Sequence, residues 1–209
     1  GISTYGGELV TNALLYKDEK DDHLEVFQTL DSLKIRNVLS LGTDRSGNVI
    51  CTSFSGALKI DPAGKLIGRI GISLGKEFMA NNDVPTDFKF DRRGHIWLIS
   101  ANDRLYDVDP ATDHYKKWAP TINPASRNVN MRKAIAIDKN DNVWLATDDG
   151  IRFFNTKTNQ FSSFSNGTKK ELEHVQAIEL KFDSFGTLWI GTNAEGLIKY
   201  ENRPQLKSY

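Results

Sequence analysis

Basic and amide side chains gather in two long loops of the sequence, at 71–86 and 119–133. Guanidinium and amide groups form forked hydrogen bonds that suit sugar hydroxyls and carboxylates, and an ammonium donates to the same acceptors. The sequence therefore predicts that these loops bind an oligosaccharide; the alternative is that they only connect strands and stay solvated. The predicted ligand-binding residues are Lys76, Arg127, Asn130, Arg132 and Lys133.

No other group of residues matches a catalytic or metal-binding motif. The acidic and amide run that starts at Asp138 superficially resembles a calcium loop, but Val143 stands where that loop needs glycine. The histidines lack the spacing of metal ligands and fit hydrogen-bonded or solvated surface positions. They are His23, His95, His114 and His174. The sequence thus predicts no catalytic residue, no metal and no cofactor.

A ten-residue phrase recurs along the chain and defines the elements that carry these loops. It begins with aspartate, usually has glycine three residues later, and has tryptophan six residues later in three of its four copies. Strand-like runs with period-two alternation surround each copy. Repeats of about 46 residues built only of strands are typical of a β-propeller with one four-stranded antiparallel blade per repeat. The copies begin at Asp44, Asp91, Asp138 and Asp183, with spacings of 47, 47 and 45 residues.

The tryptophan of the phrase occupies one fixed position on the second strand of each blade. An aromatic side chain buries roughly 150–250 Å², so a few of them can hold stacked blades together. We expect Trp97, Trp144 and Trp189 to be buried at equivalent blade interfaces, with Ile50 in the same position of the first copy. The aspartate and the glycine that follows it are expected to form a hairpin turn.

The repeat divides the chain into about five blades: an incomplete one at 1–30, and others at 31–71, 72–119, 120–165 and 166–209. The chain opens inside a second strand, with further strands expected at 13–16 and 24–27, and closes with one at 206–209. No tail supplies the missing innermost strand, so we expect a part of a larger propeller. Its exposed edges are expected to meet neighbouring blades or a second copy. Closure as a five-bladed ring is the alternative.

The charge balance and hydrophobicity of the chain limit the classes of binding partner that can be expected. The 27 basic side chains balance the 27 acidic ones, so no general attraction to nucleic acid or to an anionic membrane surface is expected. No apolar run reaches the length of a membrane span, and we expect no membrane insertion by this segment. Cys51 is the single cysteine, which excludes an internal disulfide.

The phrase at 183–192, followed by Gly196, Leu197 and Tyr200, resembles the two-component-regulator propeller repeat. The resemblance covers nearly the whole chain, although the copies at Asp44 and Asp91 are degenerate. That family builds the extracytoplasmic sensor of hybrid two-component histidine kinases, common in gut Bacteroidetes. The resemblance implies a periplasmic, noncatalytic sensory segment that recognises glycan-derived ligands and signals to carbohydrate-use genes.

Two other functions are compatible with the same repeat. A propeller lyase similar to the streptogramin lyases also uses tryptophan-containing strands, but it needs a convergent set of histidine and glutamate on one rim, which the sequence does not offer. A pure protein-interaction scaffold needs no small ligand. A conserved surface would distinguish such a scaffold from a ligand-binding sensor.

Overall fold

The computed structural model of the protein describes residues 2–5, 8–11, 15–17, 24–26, 38–53, 56–70, 76–78, 80–81, 83–120, 133–163 and 175–201. These residues are almost entirely strands and turns, with one short helical segment at 76–78. The predicted all-β propeller fold is confirmed. Nothing in the described part of the chain is a helix long and apolar enough to cross a membrane.

Three four-stranded antiparallel meanders and one three-stranded meander follow each other along the chain. The first blade contains β5 (Val38–Thr43), β6 (Val49–Ser53), β7 (Gly56–Ile60) and β8 (Leu66–Ile70). The second contains β9 (Pro85–Phe90), β10 (Ile96–Ser100), β11 (Leu105–Val108) and β12 (Tyr115–Trp118). The third contains β13 (Ile135–Ile137), β14 (Val143–Thr147), β15 (Gly150–Asn155) and β16 (Gln160–Ser163). The fourth contains β17 (Ala177–Phe182), β18 (Leu188–Thr192) and β19 (Leu197–Tyr200). The strand predicted at 206–209 lies outside the described residues.

The beginning of the chain forms two separate strand pairs. One joins β1 (Ile2–Tyr5) to β2 (Glu8–Thr11), and the other joins β3 (Leu15–Lys17) to β4 (Leu24–Val26). The strands predicted at 13–16 and 24–27 overlap β3 and β4, whereas β2 is a further strand that the sequence analysis did not predict. Two adjacent glycines separate β1 from β2 in the sequence, and such a pair is typical of a two-residue hairpin connection.

Each copy of the phrase folds around its aspartate carboxylate. In all four copies, Oδ1 accepts the backbone N–H groups two and four residues later, at 2.8–3.0 Å. The residue three positions on has a positive φ, which is 89° at Gly94, and glycine adopts that conformation without steric cost. In three copies Oδ2 also accepts the indole N–H of the tryptophan, for example at 2.9 Å between Asp183 and Trp189. One carboxylate thus fixes both the hairpin and the indole orientation.

The blades stack through the tryptophan-bearing faces. The Trp97 ring packs on Trp118 of its own blade and on Phe154 of the third blade, both with centroids 5.8 Å apart. Trp144 repeats this contact with the fourth blade through Phe182 and Tyr200. Both tryptophans are buried as predicted.

Trp189 departs from the prediction, because it is only half-buried. It occupies the equivalent position on the fourth blade and keeps its bond to the turn aspartate. Within the described residues, however, no further sheet packs on the face that carries it. The difference in burial therefore follows from the place of the blade in the series and not from its sequence.

Candidate functional site

The meander topology gives each blade two unlike ends. The connections from first to second strand and from third to fourth strand lie at one end, which we call the hairpin rim. The connections from second to third strand, and from each blade to the next, lie at the opposite end, which we call the loop rim. Two of the predicted ligand-binding residues, Lys76 and Lys133, lie on the loop rim, where Lys76 is exposed. Arg127, Asn130 and Arg132 lie outside the described residues.

Lys133 is enclosed at the junction of the second and third blades. Its side chain is 2 % exposed, and its Nζ lies 3.1 Å from Oδ1 of Asp103 and hydrogen-bonds to Asp148. Asp103 belongs to the β10–β11 connection, and Asp148 belongs to the β14–β15 connection. The lysine therefore joins two blades through ion pairs. The ligand-binding role of Lys133 stays a prediction, and its ammonium in this arrangement serves the blade junction.

Burial raises the pKa of Asp103 to about 6, although the nearby Lys133 ammonium acts in the opposite direction. Between the ordinary pKa of 3.8 and this value, the folded protein binds a proton that the unfolded chain does not bind. Stability must therefore fall as the pH rises through this window.

We expect the Asp103→Asn variant to lose this part of the pH dependence. The wild-type contribution is on the order of 3 kcal/mol between about pH 4 and 6, since one pKa unit corresponds to about 1.4 kcal/mol. Urea unfolding at half-unit pH intervals measures it. Asp61→Asn, on the β7–β8 turn, is the control for replacing an aspartate by asparagine. Parallel profiles for wild type and Asp103→Asn would contradict the assignment.

A cavity of about 410 Å³ opens on the hairpin rim between the second and third blades. The second blade contributes six lining residues, Arg92, Arg93, Trp97, Asp107, Lys116 and Trp118. The third contributes five, Asn140, Asp141, Thr156, Lys157 and Asn159. The cavity therefore lies at the end of the blades opposite to the one that the sequence favoured for ligand binding.

Strand register explains why polar and aromatic groups meet here. Trp97, Asp107 and Lys116 are successive cross-strand partners on β10, β11 and β12, so they line one face of the second blade. Trp118 lies on the same face as Lys116, since side chains two residues apart on a strand share a face. Further along the strands this face is the apolar contact with the third blade. The cavity is the polar, hairpin-rim end of that contact.

Trp118 forms a rigid aromatic wall. It is half-buried, and its ring stacks on Trp97 at an interplanar angle of 23° and contacts Phe154 at a centroid distance of 4.9 Å. An indole held in this way offers an apolar surface against which the C–H face of a sugar ring can pack. The surrounding amide and hydroxyl groups offer hydrogen bonds to the sugar hydroxyls.

The two carboxylates in the lining contact neighbouring basic side chains. Asp141 accepts hydrogen bonds from Nε and Nη2 of Arg92 at 2.8–3.0 Å. Asp107 lies 2.7 Å from Nδ1 of His95 and 4.0 Å from Nη2 of Arg93. The Arg92–Asp141 pair also joins the hairpins of the two blades at the cavity.

Asp141 is a lining residue whose importance the sequence analysis missed. Its φ is 61°, and it stands where the three other copies have glycine. An L-residue pays about 1–2 kcal/mol for this backbone conformation. The signal was present in the sequence, because aspartate replaces glycine only in the copy at 138–147. Its carboxylate is what holds Arg92.

Comparison with known proteins shows a shared fold. No protein-family model and no curated protein sequence matches the chain. The extracellular domain of a putative hybrid two-component system from B. thetaiotaomicron superposes with a TM-score of 0.68 at 17% identity, covering 94% of this chain and 26% of that one. A second such domain from the same organism superposes with a TM-score of 0.59 at 16% identity, covering 96% of this chain and 29% of that one. The chain thus spans about a quarter of the length of these domains. The predicted resemblance to two-component sensor propellers is confirmed at the level of the fold.

Other propellers share the architecture. Virginiamycin B lyase from Staphylococcus aureus has a TM-score of 0.56 at 10% identity, covering 97% of this chain and 70% of the lyase. Within the described residues, no group of three or more histidine, cysteine, aspartate or glutamate side chains is arranged to hold a metal ion.

Proposed function

We propose that the chain is a noncatalytic sensory segment of a propeller receptor, and that it binds a glycan-derived ligand in the cavity between the second and third blades. The observation that carries the proposal is the cavity itself, in which the rigid wall of Trp118 faces hydrogen-bonding groups from two blades. Pockets of about 300–1,000 Å³ are typical of small-ligand sites, and 410 Å³ suits one or two sugar rings.

The repeat phrase and the shared fold support the sensory class. The superposed domains from B. thetaiotaomicron are described as extracellular parts of putative two-component systems. From this analogy we propose that the segment lies outside the cytoplasm, in the periplasm, as part of an inner-membrane sensor histidine kinase. This placement rests on likeness of fold and of repeat, and the cavity supplies the specific ligand hypothesis.

The proposal is tested by binding of the 209-residue chain to an array of neutral and acidic oligosaccharides. Trp118→Ala is expected to weaken binding about tenfold or more, since the loss of an aromatic contact in a buried site commonly costs more than 1 kcal/mol. Trp118→Phe keeps an apolar ring and should retain most of the affinity. Circular dichroism of each variant separates loss of binding from loss of the fold.

The same assay distinguishes a ligand site on the hairpin rim from one on the loop rim. If Arg127→Ala and Arg132→Ala weaken binding while Trp118→Ala does not, the ligand lies on the loop rim that the sequence favoured. Turnover of a streptogramin B substrate would favour the lyase. Absence of binding to every oligosaccharide on the array would contradict the sensory proposal and favour the interaction scaffold.

A further inference from the structure

The cavity between the second and third blades carries an excess of positive charge. Its lining contains four basic side chains and only two carboxylates. Arg92 bonds Asp141, and Arg93 bonds Asp91 at 2.7–3.0 Å while lying 4.0 Å from Asp107, which contacts Nδ1 of His95 at 2.7 Å. The lining cations that bond no carboxylate among the described residues are therefore the ammonium groups of Lys116 and Lys157.

Neither ammonium group makes an ion pair or a side-chain hydrogen bond within the part of the chain that the structure describes. Lys116 lies directly across from Asp107 on the neighbouring strand, but that carboxylate already contacts His95 at 2.7 Å. The next residue, Lys117, has its side chain on the other face of β12 and pairs with Glu77 at 2.6 Å. The two adjacent lysines therefore differ in pairing: Lys117 has an acidic partner, and Lys116, which lines the cavity, has none among the described residues.

The two lysines approach the cavity from different blades. Lys116 belongs to β12 of the second blade, and Lys157 belongs to the β15–β16 turn of the third. Trp118 shares the strand face of Lys116, so an aromatic wall and an ammonium group lie side by side. A ligand that combines a pyranose ring with an anionic substituent would meet both groups at once.

We propose that this cavity binds an anionic sugar, with the ring against Trp118 and the anionic group between Lys116 and Lys157. The inference rests on the proposed function, since it names the ligand class of the same site. An ammonium group binds carboxylate and sulfate alike as a point charge, so the shared feature is a sugar that carries a negative group.

Isothermal titration calorimetry with the 209-residue chain tests the charge requirement. The probes are cellobiose, the corresponding disaccharide with a terminal glucuronic acid, and cellobiose 6-sulfate, with sodium acetate and sodium sulfate as sugar-free anions. We expect an acidic disaccharide to bind at least about tenfold more tightly than cellobiose, because a charge-assisted hydrogen bond is worth roughly that factor. The preference should shrink as the salt concentration rises.

The Lys116→Gln/Lys157→Gln variant should bind the acidic and neutral disaccharides equally. Lys139→Gln is the matched control, since this exposed lysine lies in the neighbouring hairpin but does not line the cavity. It should keep the wild-type preference. The difference between the uronate and the sulfate identifies which anionic group the site prefers.

Failure of this inference is distinct from failure of the proposed function. If cellobiose binds as tightly as both acidic disaccharides, or if the double variant keeps the preference, the anionic assignment is wrong and a neutral sugar site remains. If acetate or sulfate alone binds as tightly as the disaccharides, the site recognises an anion and not a sugar. If none of the probes binds, the inference fails, and the oligosaccharide array then decides the proposed function separately.

Discussion

Replacing Trp144 by alanine is expected to lower the free energy of unfolding by about 3–5 kcal/mol, the usual cost of truncating a buried aromatic side chain. The Trp144 side chain is 6 % exposed and packs at centroid distances of 5.1 Å from Phe153 and 5.9 Å from Phe182. Its loss would leave a cavity at the interface between the third and fourth blades. It would also remove the indole hydrogen bond to Asp138. Urea unfolding followed by circular dichroism measures the change.

Trp189→Ala is the matched comparison, because it removes the same residue from the same strand position. Since Trp189 is half-buried, its truncation should cost clearly less than that of Trp144. The bond to Asp183 is lost in this variant as well, so the difference between the two isolates the contact with the next blade. An unfolding midpoint for Trp144→Ala equal to that of wild type would refute a core role for this tryptophan.

Replacing Lys133 by methionine is expected to cost about 3–5 kcal/mol at neutral pH, because removing one member of a buried ion pair leaves the opposite charges uncompensated. Here two carboxylates, Asp103 and Asp148, would share the blade junction without a cation. Since protonation relieves that repulsion, the loss should be smaller near pH 4 than at pH 7. Unfolding at both pH values tests the expectation.

Lys89→Met provides the control for Lys133→Met. Lys89 pairs with Asp87 at 3.0 Å, but its side chain is 40 % exposed, and pairs of that kind contribute about 0–1 kcal/mol. A Lys133→Met variant no less stable than Lys89→Met would show that the junction does not depend on the buried ammonium. If Lys133→Met folds normally and loses ligand binding, the sequence-based role for Lys133 would gain support.

The features that the sequence predicted correctly are local or periodic. The hairpins at Asp91 and Asp183, and the common strand position of the tryptophans, follow from residue types a few positions apart. The burial of Trp97 follows from the stacking of repeats, and the resemblance to sensor propellers led to the same fold. Local pattern and repeat spacing were therefore sufficient for the architecture.

The cavity could not be predicted in the same way, because its groups meet only across blades. Arg92 and Asp141 are 49 residues apart, and they pair because two hairpins lie side by side in the folded protein. The repeat phrase does not single out Trp118, and only its stacking on Trp97 shows it as a wall of the cavity. Lys133 was interpreted as a free loop cation, since nothing in the local sequence indicates its contact with Asp103.

The tryptophan of each repeat uses its edge and its face for different neighbours. The indole N–H bonds the turn aspartate of the same blade, while the ring of Trp97 or Trp144 packs on the following blade. A single segment of about 47 residues therefore encodes both its own turn and its means of attachment to the next. Duplication of such a segment in a gene therefore copies both the turn and the residues that contact the next blade, so a blade can be added without a new kind of interface. In the first copy Ile50 is buried in place of the tryptophan, so the interface accepts another apolar side chain at that position.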